Sequence, residues 1–201
     1  MRITNLKIDN KVYTSNVYLI RGDNNSMSDL NTLVDVGRDE RIIDKINRAS
    51  TGVAKKRIAQ VALTHSHYDH SSLLHEIKYK YDPVVFAWSK SIDGVTQHIY
   101  DWDTLQFGDR SFEVIYIPGH SNDSVCYYCE EDGVIFCGDT QLINIPEDST
   151  FTDDFIKKLE RINNKKINVI YPGHGEPIDN NCNKKIQQSI DNLKRKTMVE
   201  N

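Results

Sequence analysis

Three histidines fall within six residues of this chain, in the run His65-Ser66-His67-Tyr68-Asp69-His70. The run directly follows a buried strand predicted over residues 58–64 and precedes a segment whose apolar residues recur at helical spacing. With the histidine and aspartate content of this sequence, such a run arises by chance in roughly one chain in a thousand, so it is a specific motif. It requires a fold that presents polar side chains on a loop at the end of a strand.

Three further segments place a histidine or an aspartate beside a glycine at the end of a predicted strand. They are Pro118-Gly119-His120-Ser121, Cys137-Gly138-Asp139-Thr140 and Pro172-Gly173-His174-Gly175. In each segment the glycine lets the backbone pass close to a neighbouring segment. Core packing does not explain four strand ends that each carry a ligand-type residue, so we predict that these segments converge on one site.

The chemistry of these side chains indicates a metal site. Neutral imidazole and carboxylate groups are standard protein ligands of zinc, iron and manganese. His65 and His67 are two residues apart and can point the same way from an extended segment. Asp69 and His70 follow after the chain has turned, so their side chains can reach a second position close to the first. Such an arrangement suits two metal ions a short distance apart.

Composition narrows the classes of protein to which the chain can belong. Of its 201 residues, 38% are hydrophobic and 27% are charged, which predicts a single globular domain over residues 1–201. The formal net charge of −4 argues against nucleic acid or an anionic membrane as a partner and favours a small-molecule substrate. No apolar run approaches the ~20 residues of a membrane span and no signal peptide is visible, so we expect a cytoplasmic protein.

The four cysteines are interpreted as small buried hydrophobic residues. Without a secretory signal, a disulfide framework is not expected. Cys126 and Cys129 have the spacing of half a zinc knuckle or of a redox pair, but they lie in a strand-like run. A spacing of three on a strand places the two thiols on opposite faces.

Apolar patterning predicts an order of strands and helices that fits two sheets covered by helices. Paired strands are predicted over residues 2–9 and 11–21. Further strands are predicted over residues 32–37, 58–64, 84–88, 104–107, 112–117, 125–129, 134–137 and 167–171. Helices are predicted over residues 39–50, 71–80, 152–163 and 183–198. This order does not fit a simple doubly wound sheet.

The motifs HSHYDH, PGHS, CGDT and YPGHG, in this order, closely resemble those of the metallo-β-lactamase-fold hydrolase superfamily. The segments Asn16–Ile20 and Leu33–Gly37 fit the same pattern, so the resemblance runs from about residue 12 to residue 178. Within the superfamily the chain is most similar to the glyoxalase-II-like (hydroxyacylglutathione hydrolase-like) enzymes. The resemblance implies an α+β fold, a four-layer αββα sandwich with the metal ions at one edge between the sheets.

The resemblance also implies roles for individual residues. A first divalent metal ion would be held by His65, His67 and His120. A second would be held by Asp69, His70 and His174, and Asp139 would bridge the two. The ions would be zinc, with iron or manganese as alternatives, and a hydroxide between them would be the nucleophile. Asp69 and Asp139 would be the catalytic residues, and Asp35 would steady a ligand loop through hydrogen bonds.

The leading interpretation is therefore a binuclear metal-dependent hydrolase of a small ester, thioester or lactone. A mononuclear non-haem iron oxidoreductase similar to persulfide dioxygenases is the alternative, with the iron on His65, His120 and Asp139. A phosphodiesterase or nuclease is a further alternative, against which the negative charge counts. The loops near residues 90–105 and 141–152 would decide selectivity, but they carry no readable motif.

Overall fold

The strands of this chain form two mixed sheets. The structure, a computed structural model, describes residues 1–7, 12–24 and 26–199, with side chains up to Arg195. The first sheet has the spatial order β1-β2-β3-β4-β5-β6. Its strands are β1 (Arg2–Asn5), β2 (Tyr18–Arg21), β3 (Thr32–Val34), β4 (Gln60–Ala62), β5 (Val84–Ala87) and β6 (Gln97–His98). Strands β1 to β3 pair antiparallel, and β3 to β6 run parallel.

The second sheet has the spatial order β11-β10-β9-β8-β7. Its strands are β7 (Thr104–Phe107), β8 (Arg110–Tyr116), β9 (Val125–Cys129), β10 (Val134–Gly138) and β11 (Val169–Pro172). Strands β7 to β10 form antiparallel pairs, whereas β11 is parallel to β10. The parallel pair brings the carboxyl ends of β10 and β11 to the same edge of the sheet.

Three hydrophobic clusters define the layers of the fold. The middle cluster joins the facing sides of the sheets, with Val34 and Phe86 of the first sheet beside Phe112 and Tyr127 of the second. The outer face of the first sheet packs against α1 (Arg41–Arg48) and α3 (Leu74–Tyr81). The outer face of the second packs against α4 (Asp153–Asn163) and α5 (Cys182–Val199). The predicted four-layer αββα sandwich is confirmed.

Helix α4 illustrates how local sequence builds these layers. The Thr152 side chain accepts a hydrogen bond from the backbone N–H of Phe155 (3.2 Å), which satisfies one of the free donors of the first turn. Asp153 and Asp154 complement the positive end of the helix dipole. Four apolar residues at helical spacing are then buried against the second sheet: Phe155, Ile156, Leu159 and Ile162.

The predicted strand over residues 11–21 is shorter than expected, because β2 begins only at Tyr18. Backbone donors before β2 leave the sheet for the loops that carry the histidines. Ser15 donates to the carbonyl of Asp69 (3.1 Å) and Asn16 to the carbonyl of Gly173 (2.6 Å). Residues 8–11, where the first predicted strand ends and the second begins, lie outside the described residues.

Other boundaries also differ from the prediction. The strand predicted over residues 58–64 is β4, which pairs only over Gln60–Ala62, although Leu63 and Thr64 stay buried. The helix predicted over residues 71–80 divides into a short α2 (Tyr68–Ser71) and α3. Strand β6 was not predicted, because its two residues are exposed and carry no apolar pattern.

The remaining expectations concern the burial of the cysteines and membrane-spanning helices. All four thiols are free and buried. Cys126 lies in the cluster beneath α4 and α5 and Cys129 lies between the sheets, so the two occupy opposite faces of β9. Among the described residues, no helix combines the length and the apolar character that crossing a membrane requires.

Candidate metal centre

The seven predicted ligands meet where four strands end. The loop after β4 carries His65 and His67 and leads into α2, which holds Asp69 and His70. His120 follows β8, Asp139 directly follows β10 and His174 follows β11. The first sheet therefore supplies one wall of the site and the second sheet the other.

The seven side chains form two adjacent groups. In the first group the ligand atoms of His65, His67 and His120 all lie within 4.8 Å of one another. In the second group the same limit holds for four residues, Asp69, His70, Asp139 and His174. These are the two sets that the resemblance implies, with Asp139 in the second.

Asp139 lies between the two groups. Its Oδ1 is 3.2 Å from Nε2 of His70, and its Oδ2 is 3.5 Å from Nε2 of His174. The same Oδ2 is 3.6 Å from Nε2 of His120, which belongs to the first group. One carboxylate thus reaches both groups, as a bridging ligand must.

The chemistry of the buried atoms fits divalent cations. Nε2 of His65 is buried without a hydrogen-bond partner among the described residues, and Nε2 of His70 and Oδ1 of Asp139 are buried with only each other nearby, at 3.2 Å. An unpaired buried polar atom is costly, and these three lone-pair donors face the same small space. A bound cation would satisfy all three, so the residues present fit a metal site.

Hydrogen bonds fix the tautomers of two of these histidines. Nδ1 of His70 lies 2.8 Å from Oδ2 of Asp35, a carboxylate that can only accept, so Nδ1 carries the proton. The Thr64 hydroxyl also donates to Asp35 (2.9 Å) and must therefore accept from Nδ1 of His65 (3.1 Å). In its neutral form each ring would therefore present an unprotonated Nε2 to the centre, as a metal ligand requires. This arrangement supports the predicted role of Asp35.

Charge and burial perturb the pKa values of the cluster. Burial, assisted by the nearby His70, lowers the pKa of His65 to about 4, so His65 is neutral at neutral pH. Burial also opposes the charged form of His70, but Asp35 and Asp139 outweigh it and raise the pKa of His70 to about 10. The hydrogen bond from His174, with His70 nearby, overcomes burial and lowers the pKa of Asp139. The potential around His70 and Asp139 is therefore negative and favours a cation.

Two glycines permit this close approach. A Cβ on Gly173 would lie 2.2 Å from Oδ1 of Asp139, so any larger residue would displace a ligand. Gly138 has a positive φ of 50°, and a Cβ there would lie 2.4 Å from the Thr64 hydroxyl. The glycines in the motifs around Asp139 and His174 therefore have the steric role that the sequence predicted.

Asn16 and Tyr18 support the loop that carries His174, a role that sequence reasoning missed. The Asn16 amide donates to the carbonyls of Pro172 and Gly175, each at 2.9 Å. The Tyr18 hydroxyl donates to the same Pro172 carbonyl at 2.8 Å. The segment Asn16–Ile20 was singled out by its resemblance, but nothing in its local pattern indicates contacts more than 150 residues away.

Aromatic side chains border the second group of ligands, and sequence reasoning also missed most of this border. The Tyr13 ring stacks on His174, with centroids 5.1 Å apart and an interplanar angle of 19°. Tyr68 is 56% exposed and carries the Arg38 guanidinium 4.9 Å from its ring centroid. Tyr171 instead packs on Phe136 in the core.

The other two histidines of the chain stay outside the centre. His75 is exposed on α3, and His98 is exposed on β6. Neither side chain belongs to the two ligand groups.

Comparison with known proteins identifies the family. A sequence-family model with the description Metallo-beta-lactamase superfamily matches residues 10–93 and 90–174 of this chain. These two matches cover most of the chain, so the chain belongs to the metallo-β-lactamase superfamily, as its motifs predicted.

Relatives within the superfamily include two kinds of thioester-cleaving enzyme by name. An atrochrysone carboxyl ACP thioesterase from Aspergillus fumigatus is 28% identical over 176 residues, which are 82% of this chain and 53% of that protein. A hydroxyacylglutathione hydrolase from Chromohalobacter salexigens is 30% identical over 126 residues, which are 62% of this chain and 46% of that protein. The similarity to hydroxyacylglutathione hydrolases is thus confirmed, and the chain spans about half the length of these relatives.

A solved structure agrees with the fold. A beta-lactamase domain protein from Burkholderia ambifaria matches with a TM-score of 0.69 at 19% identity. The match covers 98% of this chain and 74% of that one. At this identity the likeness supports the fold alone.

Proposed function

We propose that this chain is a binuclear metal-dependent hydrolase that acts on a small ester, thioester or lactone, with thioesters as the preferred class. The observation that carries the proposal is the pair of adjacent ligand groups, with Asp139 within reach of both. The names of the relatives favour a thioester, because both describe cleavage of an acyl–sulfur bond.

The proposal assigns each ligand a place. The first metal ion would be held by His65, His67 and His120. The second would be held by Asp69, His70 and His174, with Asp139 shared by both. Zinc is the metal proposed, and iron and manganese accept the same nitrogen and oxygen ligands. Bound there, the ions would polarise the substrate carbonyl and lower the pKa of a water molecule from 15.7 to about 7.

The chain's own residues would complete the reaction. Oδ2 of Asp69 lies 3.0 Å from Nε2 of His174, so this carboxylate lies within the second ligand group. From there Asp69 would accept a hydrogen bond from the attacking water and orient it toward the carbonyl carbon. Asp139 would hold the two halves of the centre at the spacing that one substrate group requires. Products would be a carboxylic acid and a thiol or alcohol.

The test combines metal content with a substrate panel. We expect about two transition-metal ions per chain by elemental analysis after metal-supplemented expression. The panel consists of a thioester, a lactone, a phosphodiester and glutathione persulfide, and we expect turnover of the thioester. One iron per chain with oxygen consumption on the persulfide would instead establish the oxidoreductase. A chain that binds no metal would overturn the proposal.

One variant addresses the shared ligand. Asp139→Ala should abolish thioester turnover while circular dichroism shows an intact fold. Asp191→Ala, on the exposed side of α5, is the matched control and should retain activity. Near-normal turnover by Asp139→Ala would contradict the bridging role.

A further inference from the structure

A cavity of about 330 Å³ opens directly beside the candidate metal centre. One end is formed by His120, Asp139 and His174. We call the part lined by Leu142, Ile143, Ile170 and Ile178 the apolar end; Thr140 and Gln141 also line the cavity. Among the described residues that line this cavity, none is a lysine or an arginine. A group bound at the apolar end would therefore be next to the reacting atoms and would meet hydrocarbon rather than fixed positive charge.

The apolar end is held by regular structure. Ile170 and Ile178 exchange both backbone hydrogen bonds, at 2.8 and 2.9 Å, which fixes Ile178 on the edge of β11. Leu142 and Ile143 lie on the segment after β10. Ile145, two residues after Ile143, is hydrogen-bonded to α5. Its backbone N–H donates to the Ser189 hydroxyl (3.2 Å), and its carbonyl accepts from the Asn192 amide (2.8 Å). The cavity is therefore formed before any ligand binds.

A second cavity has a different character. Apart from Trp88 it is lined by polar residues that include Ser66, Lys90 and Asn122, and two of its lining residues, Ser66 and Ser121, are sequence neighbours of the first group of ligands. A thioester has two halves, an acyl chain and a thiol carrier. Carriers are peptide-like or phosphate-bearing, so the polar cavity suits the carrier and the apolar cavity suits the acyl chain.

We propose that the cavity lined by Leu142, Ile143, Ile170 and Ile178 binds the acyl group of the substrate, and that this group is a short, uncharged aliphatic chain. The proposal rests on the function proposed above and names its substrate class. The volume lies at the small end of the roughly 300–1,000 Å³ of ligand sites, which limits the chain length. A carboxylate at the far end of the acyl chain would be desolvated there without a partner.

The first test varies the acyl group while the thiol stays constant. The full chain loaded with zinc is given N-acetylcysteamine thioesters of acetate, butyrate, hexanoate and succinate, and thiol release is followed. We expect kcat/KM to rise by about fourfold per methylene from acetyl to hexanoyl, because each buried methylene leaves water. Succinyl, which replaces the end of the butyryl chain by a carboxylate, should fall below butyryl. Equal rates for all acyl groups, or a preference for succinyl, would overturn the proposal.

Two variants of isoleucine test the position. Ile178→Phe fills the apolar end and should lower the ratio of hexanoyl to acetyl kcat/KM by about tenfold or more. Ile43→Phe is the matched control, because Ile43 is a half-buried isoleucine that lines a cavity between α1 and α3. It should leave the ratio unchanged. An unchanged ratio in Ile178→Phe would overturn the assignment of this cavity.

A binding measurement separates this inference from the hydrolase proposal. Hexanoate, the expected product, is titrated into zinc-loaded protein with ¹³C-labelled isoleucine methyl groups. The methyl signals of Ile143 and Ile178 should shift, and that of Ile43 should not; acetate should move none of them. If these shifts occur although no thioester is cleaved, the hydrolase proposal is wrong and the aliphatic site stands. If thioesters are cleaved but hexanoate leaves the methyl signals unmoved, the aliphatic site is wrong.

Discussion

Asp35 shows how one buried residue can determine the ligand properties of its neighbours. It is 2% exposed and accepts hydrogen bonds from the backbone N–H of Thr64 (2.8 Å), from the Thr64 hydroxyl and from Nδ1 of His70. Through these bonds it sets the tautomer of His70 directly and that of His65 through Thr64. Its φ of 57° is a left-handed conformation that aspartate and asparagine tolerate better than most residues.

Replacing Asp35 by asparagine should therefore weaken metal binding without disturbing the backbone. The new amide can point only one oxygen at three donors, so Nδ1 of His70 loses its acceptor and the ring can protonate at Nε2. We expect metal affinity to fall by about 10–100-fold, measured by competition with a chromogenic chelator. Asp29→Asn, at another buried aspartate, should have no such effect. Equal affinities in the two variants would contradict the role of Asp35.

At the scale of the elements, the strand ends and their supporting contacts differ in how well sequence predicts them. The ligands at His65, His120, Asp139 and His174 could be predicted, because each closely follows a strand in the sequence and the last three stand beside a glycine. Asn16 could not, because its partners are set by the tertiary fold and its own neighbours carry no sign of them. Strand lengths were overestimated for a related reason. Leu63 and Thr64 are buried beyond the end of β4, and burial rather than pairing produces the apolar pattern.

The contacts of Asn16 give a prediction for the loop after β11. Asn16→Ala removes the donor to two carbonyls of that loop, of which the Pro172 carbonyl keeps the Tyr18 hydroxyl as a donor and the Gly175 carbonyl loses its hydrogen bond from Asn16. We expect the free energy of unfolding to fall by about 1–3 kcal/mol in urea denaturation, together with weaker metal binding through a less ordered His174. Asn180→Ala, at an exposed asparagine, should change neither quantity. Wild-type stability and metal affinity in Asn16→Ala would show that the loop holds its shape unaided.

Ion pairs that join Glu113 of β8 to Arg161 of α4 and to Lys165 just after α4 predict that the stability of the fold depends on pH. Oε1 of Glu113 lies 2.6 Å from Arg161 and Oε2 lies 2.7 Å from Lys165. Burial alone would raise the pKa of Glu113, but the hydrogen bonds from Lys165 and Arg161 outweigh it and lower the pKa below the usual value. Because the carboxyl pKa is lowered, the ion pairs of Glu113 contribute their full stabilisation of the folded state above the unfolded-state pKa of about 4.3. This stabilisation is lost as the pH falls through the folded-state pKa.

Glu113→Gln should consequently destabilise the protein by roughly 1 kcal/mol at neutral pH and by less at about pH 3. Thermal unfolding of both proteins across this range measures the difference. Glu160→Gln is the control, because Glu160 makes a more exposed pair with Lys194 and should cost little at any pH. A difference for Glu113→Gln that stays constant with pH would exclude the ionised carboxylate as its source.

At the scale of the whole molecule, the candidate centre lies where the two sheets meet. Four of its ligands come from the loop after β4 of the first sheet and from the adjoining helix α2, and three follow strands of the second sheet. The sheets are also joined there by hydrogen bonds from Val125 to the carbonyl of Thr64 (2.9 Å) and from the Tyr127 hydroxyl to the carbonyl of Leu63 (2.7 Å). Metal ions bound at this point would cross-link the two halves of the sandwich.

Removal of metal should therefore lower the stability of the entire fold rather than that of one loop. A ligand that binds only the folded state and is present at a thousandfold excess over its Kd stabilises that state by about 4 kcal/mol. For a chain of this size such a loss lowers Tm by on the order of ten degrees, which differential scanning calorimetry with and without chelator would measure. Added zinc should restore Tm in the wild type and restore less of it in Asp139→Ala, because the shared ligand is missing. If chelation leaves Tm unchanged while elemental analysis confirms that the metal has gone, the ions do not join the sheets, and the hydrogen bonds of Thr64 and Leu63 suffice to hold this edge together.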